Sequence, residues 1–204
     1  MVPKIAVLVL IVSGLGFADP VIFTIQGDGA GTVGSTAFND VAFTFTVTTD
    51  TSLVTNFTLG DGQTGFEAPF VSGAGISIGG IGSGTFTDTE SIYDNNTLHY
   101  VGITDAVYAD LLDGYNVSFQ TYDLQSSIGP LPLDAETIEL QFLNIPTSLG
   151  SVTFTAATSV LFTATTVPEP GTLMLGAAGA LLLAGIKLLA RAAKPEGSSG
   201  LSGP

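Results

Sequence analysis

The sequence predicts an all-β protein: an antiparallel β-sandwich of jelly-roll-like type, followed by a single C-terminal transmembrane helix. Three observations lead to this prediction. Apolar and polar residues alternate with a period of two along the middle of the chain, as in half-buried antiparallel strands. Segments rich in glycine, asparagine and proline separate these stretches, which is typical of turns. Residues 172–186 form an uncharged run rich in leucine and alanine.

Residues 1–18 have the pattern of a secretory signal peptide. Lys4 precedes an apolar stretch, and the small residues Gly16 and Ala18 stand just before Asp19. Such a pattern predicts cleavage between Ala18 and Asp19. The alternative is a short membrane anchor, but the apolar stretch is too short to cross about 30 Å of hydrocarbon. We therefore expect the chain to be exported.

The charged residues are separated along the chain. The only basic residues are Lys4, Lys187, Arg191 and Lys194, all in or beside the two terminal apolar segments, whereas sixteen of the eighteen acidic residues lie between positions 19 and 166. A buried carboxylate there must be satisfied by backbone N–H groups, hydroxyl groups or a bound cation. A uniformly negative surface also repels polyanions, which excludes nucleic acid as a partner. The chain has no cysteine, so disulfides and thiolate zinc sites are excluded.

Residues 19–166 are predicted to form the acidic β-sandwich domain. The clearest alternation lies in residues 41–48, 137–142 and 151–164. Shorter candidate strands are residues 21–26, 53–59, 84–87, 98–103 and 115–122. Turns are expected at residues 27–35, 60–65, 93–96, 111–116 and 128–135. The glycine-rich residues 73–84 are compatible with either a strand at a sheet edge or a long loop.

The C-terminal apolar run is predicted to cross a membrane. At 1.5 Å per residue its fifteen residues span only about 22 Å, but Lys187, Arg191 and Lys194 can extend the helix to about residue 193 by snorkelling. Because these basic residues follow the run, the tail is expected in the cytoplasm and the domain outside. The alternative, a helix buried on the domain, would be amphipathic, and this run is apolar on all sides.

Val167, Pro168, Glu169 and Pro170, the apolar span and the basic end together resemble the PEP-CTERM sorting tail of exported bacterial proteins, a tail also labelled the ice-binding protein C-terminal domain. The resemblance covers residues 167–194. It implies that the Pro-Glu-Pro motif is recognised by an exosortase, a membrane-embedded processing enzyme, and that the C-terminal helix lies in the inner membrane. It also implies that the protein is associated with the cell surface or with exopolysaccharide. Residues 195–204 follow the basic end and are flexible by composition.

No complete catalytic constellation is present in the sequence. A serine triad would depend on His99, which is more readily explained as a surface residue of a strand. The "DTS" at positions 50–52 has no second copy, as an aspartic-protease dyad would require, and is expected to be a turn at a strand end. Sugar-cleaving sites need paired carboxylates and aromatic platforms, and tyrosines are the only large aromatic residues with a polar group. We therefore expect no enzymatic activity.

Calcium is the one cofactor for which candidate ligands exist. Asp105, Asp110 and Asp113 lie close together in the sequence, and a second cluster contains Asp88, Glu90 and Asp94. Oxygen ligands of this kind suit calcium, although neither spacing matches a known calcium loop, and solvated loop acids are the simpler interpretation. Threonines 44, 46 and 48, or 153, 155 and 163, are also compatible with a flat face that adsorbs to ice or carbohydrate.

The sequence thus predicts a non-enzymatic surface or matrix protein that is anchored through its tail and then processed. The alternative is an exported carbohydrate-binding or carbohydrate-active domain. A deep cleft with two carboxylates would favour the alternative, whereas convex sheet faces and loops would favour the first function.

Overall fold

The computed structural model of the protein describes residues 19–70, 74–88, 90–105, 110–134 and 144–167. The chain divides into two units, residues 1–167 and 168–204, and the described residues all belong to the first. Its strands are β1 (Pro20–Val33), β2 (Thr36–Asp50), β3 (Thr55–Thr58), β4 (Thr64–Pro69), β5 (Gly75–Ile78), β6 (Gly82–Thr85), β7 (Glu90–Asn95), β8 (Tyr100–Asp105), β9 (Asp110–Tyr115), β10 (Ile128–Pro132), β11 (Ile145–Thr147) and β12 (Gly150–Thr166). Two 3₁₀ helices, Thr51–Leu53 and Val117–Thr121, accompany them.

The strands form two antiparallel sheets. The seven-stranded sheet has the order β10-β12-β1-β2-β5-β6. Its seventh strand, β11, pairs with the first residues of β12, whereas β10 pairs with the last part of the same strand. The five-stranded sheet has the order β3-β4-β7-β8-β9. Apolar residues of both sheets belong to one hydrophobic cluster. The predicted all-β, antiparallel, two-sheet architecture is therefore confirmed.

Alternation along β2 creates one half of this core. Phe43, Phe45 and Val47 are buried, while the threonines between them are partly or fully exposed. The ring of Phe154 on β12 lies 5.0 Å from that of Phe43 and 5.5 Å from that of Phe45, both edge-on. Each buried ring stabilises the fold by roughly 1.5–3 kcal/mol. The strands predicted at residues 41–48 and 151–164 are confirmed.

The other half of the core is a row of residues across the five-stranded sheet. Ala68, Ile92, Ile103 and Leu112 are paired in register on four adjacent strands. All four are completely buried. Because strand neighbours alternate between faces, the residues on either side of this row point away from the core.

Glycines explain the largest error in the predicted turns. Residues 27–35 were expected to form a turn, but β1 continues through them to Val33. A Cβ at Gly31 would lie 1.9 Å from the carbonyl oxygen of Thr153, and one at Gly29 would lie 2.8 Å from the ring of Phe154. These glycines permit close approach within the sheet, near register shifts in both of its pairings. The turn itself is confined to residues 34–35.

The prediction of a strand at residues 115–122 is also wrong. Strand β9 ends at Tyr115, and a 3₁₀ helix follows. The side chain of Asn116 accepts a hydrogen bond from the backbone N–H of Ser118 at 3.0 Å, a local bond that competes with strand pairing.

Three other predicted turns are largely strands. Residues 93–96, 111–116 and 128–135 contain the end of β7, most of β9 and all of β10, respectively. The turn predicted at residues 60–65 is correct up to Thr64, where β4 begins.

Strands of the structure overlap the four shorter predicted strands, at residues 21–26, 53–59, 84–87 and 98–103. Residues 73–84 include β5 and part of β6, the last strand of its sheet, so the edge-strand alternative is confirmed. The strand predicted at residues 137–142 lies outside the described residues.

The first and last strands of the domain lie side by side. Val21 pairs with Thr166, and the backbone N–H of Val167 donates to the carbonyl oxygen of Pro20 at 2.8 Å. The two ends of the described fold therefore meet at one end of the seven-stranded sheet. Within the described part of the chain, neither helix has the length and apolarity that a membrane span requires.

Candidate functional site

The face of the five-stranded sheet that points away from the core carries an aromatic and acidic row. Glu67 on β4, Tyr93 on β7, Gly102 on β8 and Asp113 on β9 are paired in register across four strands. We call this side of the five-stranded sheet the tyrosine face. It was not predicted, because the residues come together only through strand register.

Gly102 lets Tyr93 lie flat across the sheet. A Cβ at position 102 would lie 2.9 Å from Cε1 of Tyr93 and 2.5 Å from Cβ of Asp113. The Tyr93 hydroxyl group passes over this glycine and donates a hydrogen bond to Oδ2 of Asp113 at 2.7 Å. Asp113 is only 6% exposed, so its carboxylate is satisfied in part by a hydroxyl group, as expected for a domain without lysine or arginine.

A second row runs beside the first. Phe57, Gly65, Asn95, Tyr100 and Tyr115 follow one another in register from β3 to β9. Cζ of Phe57 lies 2.7 Å from the position that a Cβ on Gly65 would occupy, so this ring also covers a glycine. The rings of Tyr100 and Tyr115 are 6.0 Å apart and edge-on. The face therefore presents four partly exposed aromatic rings.

His99 belongs to the edge of the tyrosine face and not to a strand. It ends the turn between β7 and β8 with a φ of 62°, an uncommon conformation for a residue other than glycine. Its ring lies 5.8 Å from that of Tyr115. The prediction of a strand surface residue is wrong in detail, and the structure gives His99 a packing role.

A buried carboxyl group lies on the opposite, core-facing side of β7. Asp94 is 0% exposed, and its Oδ2 accepts a hydrogen bond from Nδ2 of Asn96 at 2.8 Å. The same nitrogen lies 2.7 Å from the carbonyl oxygen of Phe119 and 2.9 Å from that of Tyr122. Oδ1 of Asp94 has no hydrogen-bond partner among the residues that the structure describes. The sequence predicted backbone, hydroxyl or cation partners for such a group, and the side-chain amide was missed.

Burial changes the protonation of this cluster. It raises the pKa of Asp94 from 3.8 to about 8, against the opposing effect of the Asn96 hydrogen bond, and the nearby charge of Asp123 adds to the increase. Burial, followed by the charges of Asp123 and Asp94, also raises the pKa of Tyr122. The Tyr122 hydroxyl group donates to the carbonyl oxygen of Ser126 at 2.9 Å. Asp94 is therefore mainly neutral at pH 7.

The predicted calcium ligands are distributed along two hairpins. Asp105 pairs with Glu90, Asp110 pairs with Thr104, and Asp113 lies further along β9 opposite Gly102. In the second cluster, Glu90 and Asp94 are four residues apart on the same strand, a separation of roughly 13 Å. No group of three potential ligands occurs within the described ranges. Calcium binding remains a prediction.

The "DTS" segment is the turn that the sequence predicts. Asp50 is the last residue of β2, and its Oδ1 accepts hydrogen bonds from the backbone N–H and hydroxyl group of Ser52 at 2.8 and 2.6 Å. This carboxylate caps the first 3₁₀ helix, a structural role that accounts for the motif.

Both predicted threonine sets lie on the outer side of the seven-stranded sheet. Thr46 is joined in register to Thr24 on β1, and Thr24 is joined to Thr163 on β12. The flanking Thr44 and Thr48 and the more distant Thr153 and Thr155 are likewise not buried. The predicted threonines therefore do lie together on one face of the sheet. Threonine also favours strands for reasons of packing alone, so ice binding remains a prediction.

One open depression lies on the same sheet. Gln26, Asp28, Thr44 and Ser159 line it, together with Gly27, Ala42 and Phe43. It contains a single carboxylate, whereas acid–base cleavage of a glycosidic bond requires two.

The sorting residues lie mainly beyond the described fold. The carbonyl oxygen of Asp19 accepts from the N–H of Thr51 at 3.3 Å, and Val167 closes the sheet against Pro20. Ala18, the remaining residues of the Pro-Glu-Pro motif and the three basic residues of the tail are outside the described ranges.

The fold and its outer faces define an acidic, two-sheet β domain. No protein-family model, curated protein or solved structure matches the chain.

Proposed function

We propose that the protein is a non-enzymatic, exported component of the bacterial cell surface or extracellular matrix, sorted by an exosortase-like enzyme through its C-terminal tail. The proposal includes a signal peptide (residues 1–18), a jelly-roll-like sandwich (19–166), a sorting tail (167–194) with one transmembrane helix, and a flexible end (195–204). In this proposal Glu169 and its flanking prolines are the recognition motif, and Lys187, Arg191 and Lys194 flank the membrane span.

The observation that supports this proposal most is the position at which β12 ends. This strand ends at Thr166, and the backbone N–H of Val167, the last residue that the structure describes, donates a hydrogen bond to the carbonyl oxygen of Pro20. The Pro-Glu-Pro motif begins at the next residue. A domain that closes its sheet before the motif can remain folded when the tail is cut, which a sorting and release process requires.

The charge of the domain supports an extracellular, non-nucleic-acid role. Residues 19–166 contain no lysine or arginine, so their field repels nucleic acids and anionic lipid surfaces. Uncharged exopolysaccharide and basic proteins are the compatible macromolecular partners.

The candidate catalytic residues have structural roles, which supports the proposal that the protein is not an enzyme. Asp50 caps a helix, His99 packs against Tyr115, and the Asp113 carboxylate accepts from Tyr93. None of these arrangements combines a nucleophile, a base and an orienting group, which covalent catalysis requires.

Mass analysis of the mature protein from its bacterial host tests this proposal. We expect an N-terminus at Asp19 and a C-terminus close to the Pro-Glu-Pro motif, without the apolar span. The variant Glu169→Gln should retain the span and accumulate in the membrane, while Glu196→Gln, beyond the span, should be processed normally. A mature protein that retains both apolar segments, or equal processing of Glu169→Gln and the parent, would refute the proposal.

A carbohydrate-binding function is the second candidate. Its support is that Phe57, Tyr93, Tyr100 and Tyr115, which lie on one face of the five-stranded sheet, are each partly exposed.

A further inference from the structure

We propose that the protein binds a calcium ion in the interior of its β domain, at Asp94 and Asn96. Two backbone carbonyl oxygens, those of Phe119 and Tyr122, complete the site. It connects the turn after β7 to the 3₁₀ helix that follows β9, and it does not depend on the sorting tail. Its ligands also differ from the two acid clusters that the sequence predicts.

The carboxyl group of Asp94 lacks a partner for one of its oxygens. Asp94 is 0% exposed, and its Oδ1 has no hydrogen-bond partner among the residues that the structure describes. A buried polar atom of this kind lowers stability unless a ligand satisfies it. Residues 19–166 contain no lysine or arginine, so no basic side chain of this domain can pair with the group. A bound cation supplies the missing positive charge, in place of the proton that Asp94 otherwise carries.

Oxygen atoms converge on the side-chain amide of Asn96. Its Nδ2 lies 2.8 Å from Oδ2 of Asp94. The same nitrogen lies 2.7 Å from the carbonyl oxygen of Phe119 and 2.9 Å from that of Tyr122. Because an amide nitrogen carries only two hydrogens, it does not fully satisfy three acceptors. A half-turn of the amide brings its own oxygen to this place, so that both oxygens of Asp94, one of Asn96 and two carbonyl oxygens become available to a cation.

The spacing of these atoms fits calcium. Oxygen ligands that bind one calcium ion at 2.3–2.6 Å lie about 3 Å from their neighbours, and the separations around the amide are close to that value. Backbone carbonyl oxygens are usual calcium ligands, whereas magnesium retains several waters in a strict octahedron, which an interior site accommodates poorly. The negative charge of Asp123, which acts on Asp94, adds to the attraction for a cation.

Local structure holds the ligands in place. Asp94 and Asn96 are two residues apart, a spacing that places side chains of an extended segment on the same side. Oδ1 of Asn95 accepts hydrogen bonds from the backbone N–H groups of Thr97 at 3.1 Å and Leu98 at 3.0 Å, which fixes the turn. Groups of three acidic or histidine side chains are absent from the described ranges, and this site needs only one carboxylate because amide and carbonyl oxygens complete it.

Isothermal titration calorimetry of the full chain in an uncharged detergent, after removal of metal ions with EDTA, tests the inference. We expect one calcium ion per chain with a dissociation constant of roughly 10⁻⁴–10⁻³ M, the range of extracellular calcium modules, and magnesium binding at least about tenfold weaker. Asp94→Asn should weaken calcium binding about tenfold or more, because it removes the only carboxylate ligand. Asp61→Asn, at an exposed turn position, is the matched control and should bind like the parent.

Asn96→Asp distinguishes a calcium ligand from a simple hydrogen-bond donor. The change removes the amide hydrogens that the two carbonyl oxygens accept and adds a second carboxylate. The metal-free variant should therefore melt at a lower temperature than the parent. Calcium should restore the melting temperature and bind at least about tenfold more tightly than to the parent, since affinity increases with the number of charged ligands. Circular dichroism melting curves in calcium and in EDTA measure this.

Three results would overturn the inference. The first is a parent protein with no calcium heat and with equal melting temperatures in calcium and in EDTA. The second is an Asn96→Asp variant that calcium does not stabilise. The third is calcium binding that Asp113→Asn abolishes and Asp94→Asn retains, which would assign the ion to the predicted cluster on β9. If Asp94→Asn does not fold, Asn96→Asp and the parent's preference for calcium over magnesium still decide the matter.

Discussion

Asp94 shows how a domain without lysine or arginine keeps a carboxyl group in its interior. Its partner is the amide of Asn96, two residues along the same strand and connecting turn. The two amide hydrogens of Asn96 are donated to three oxygen atoms, Oδ2 of Asp94 and the carbonyl oxygens of Phe119 and Tyr122. At least one hydrogen is therefore shared between two acceptors. An ionised carboxylate in this position would be poorly compensated, and the neutral form is favoured instead.

The raised pKa of Asp94 predicts that the domain loses stability as the pH increases. Since the folded pKa is about 8 and the ordinary value is 3.8, the folded state holds a proton that the unfolded state has released between those pH values. The stabilisation is fully present below about pH 4 and is lost as the pH rises to about 8. Four pKa units correspond to an upper limit on the order of 5 kcal/mol.

Urea unfolding at pH 5.5 and pH 8.5 measures this effect. The parent protein should be less stable at pH 8.5 by a few kcal/mol. Asp94→Asn should lose most of that difference, while Asp61→Asn, at an exposed turn position, should retain it. Equal pH dependence in Asp94→Asn and the parent would show that Asp94 does not control it.

At the scale of elements, the long first strand depends on glycines that look like turn residues in the sequence. Composition alone does not distinguish a glycine that bends the chain from one that admits a neighbouring strand, because the distinction depends on cross-strand contacts. Gly34, with a φ of 56°, forms the turn, whereas Gly31 lies within β1, where a Cβ would meet the carbonyl oxygen of Thr153. The alternating segments in β2 and β12 were predictable because their period alone defines the buried face.

Gly31→Ala is expected to destabilise the domain strongly. The new Cβ would lie 1.9 Å from a backbone oxygen of β12, and the long central strands would have to separate or shift. We expect a loss of about 3 kcal/mol or more, visible as a lower melting temperature. Gly60→Ala is the matched control, since a Cβ there meets no atom within 4 Å, and it should change stability by less than about 1 kcal/mol. Similar melting temperatures for Gly31→Ala and the parent would contradict the tight strand contact.

For the whole molecule, the sequence predicted the class of fold better than the arrangement of residues on its surface. The antiparallel, all-β architecture follows mainly from alternation, since most of the turns predicted from composition are largely strand. The tyrosine face does not, because Glu67, Tyr93 and Asp113 are far apart in the sequence and meet only after β4, β7, β8 and β9 pair in register. The Asp94–Asn96 pair is local, and the absence of basic partners was the signal that could have revealed it.

The first and last described strands of the domain end side by side. Pro20 and Val167 are joined by a backbone hydrogen bond, so the predicted signal cleavage site and the predicted sorting motif both border the same end of the seven-stranded sheet. Under the proposed function, the C-terminal helix is the one membrane attachment that remains once the signal peptide has been removed.

Membrane fractionation of the full chain and of a chain ending at Val167 tests whether residues 168–204 hold the protein in the membrane. Both chains are expressed with the signal peptide in a bacterial host that has no exosortase. We expect the full chain to remain with the membranes after alkaline carbonate extraction. The shortened chain should be exported in soluble form with a melting temperature like that of the processed protein. A shortened chain that still sediments with the membranes, or that fails to fold without residues 168–204, would contradict the account.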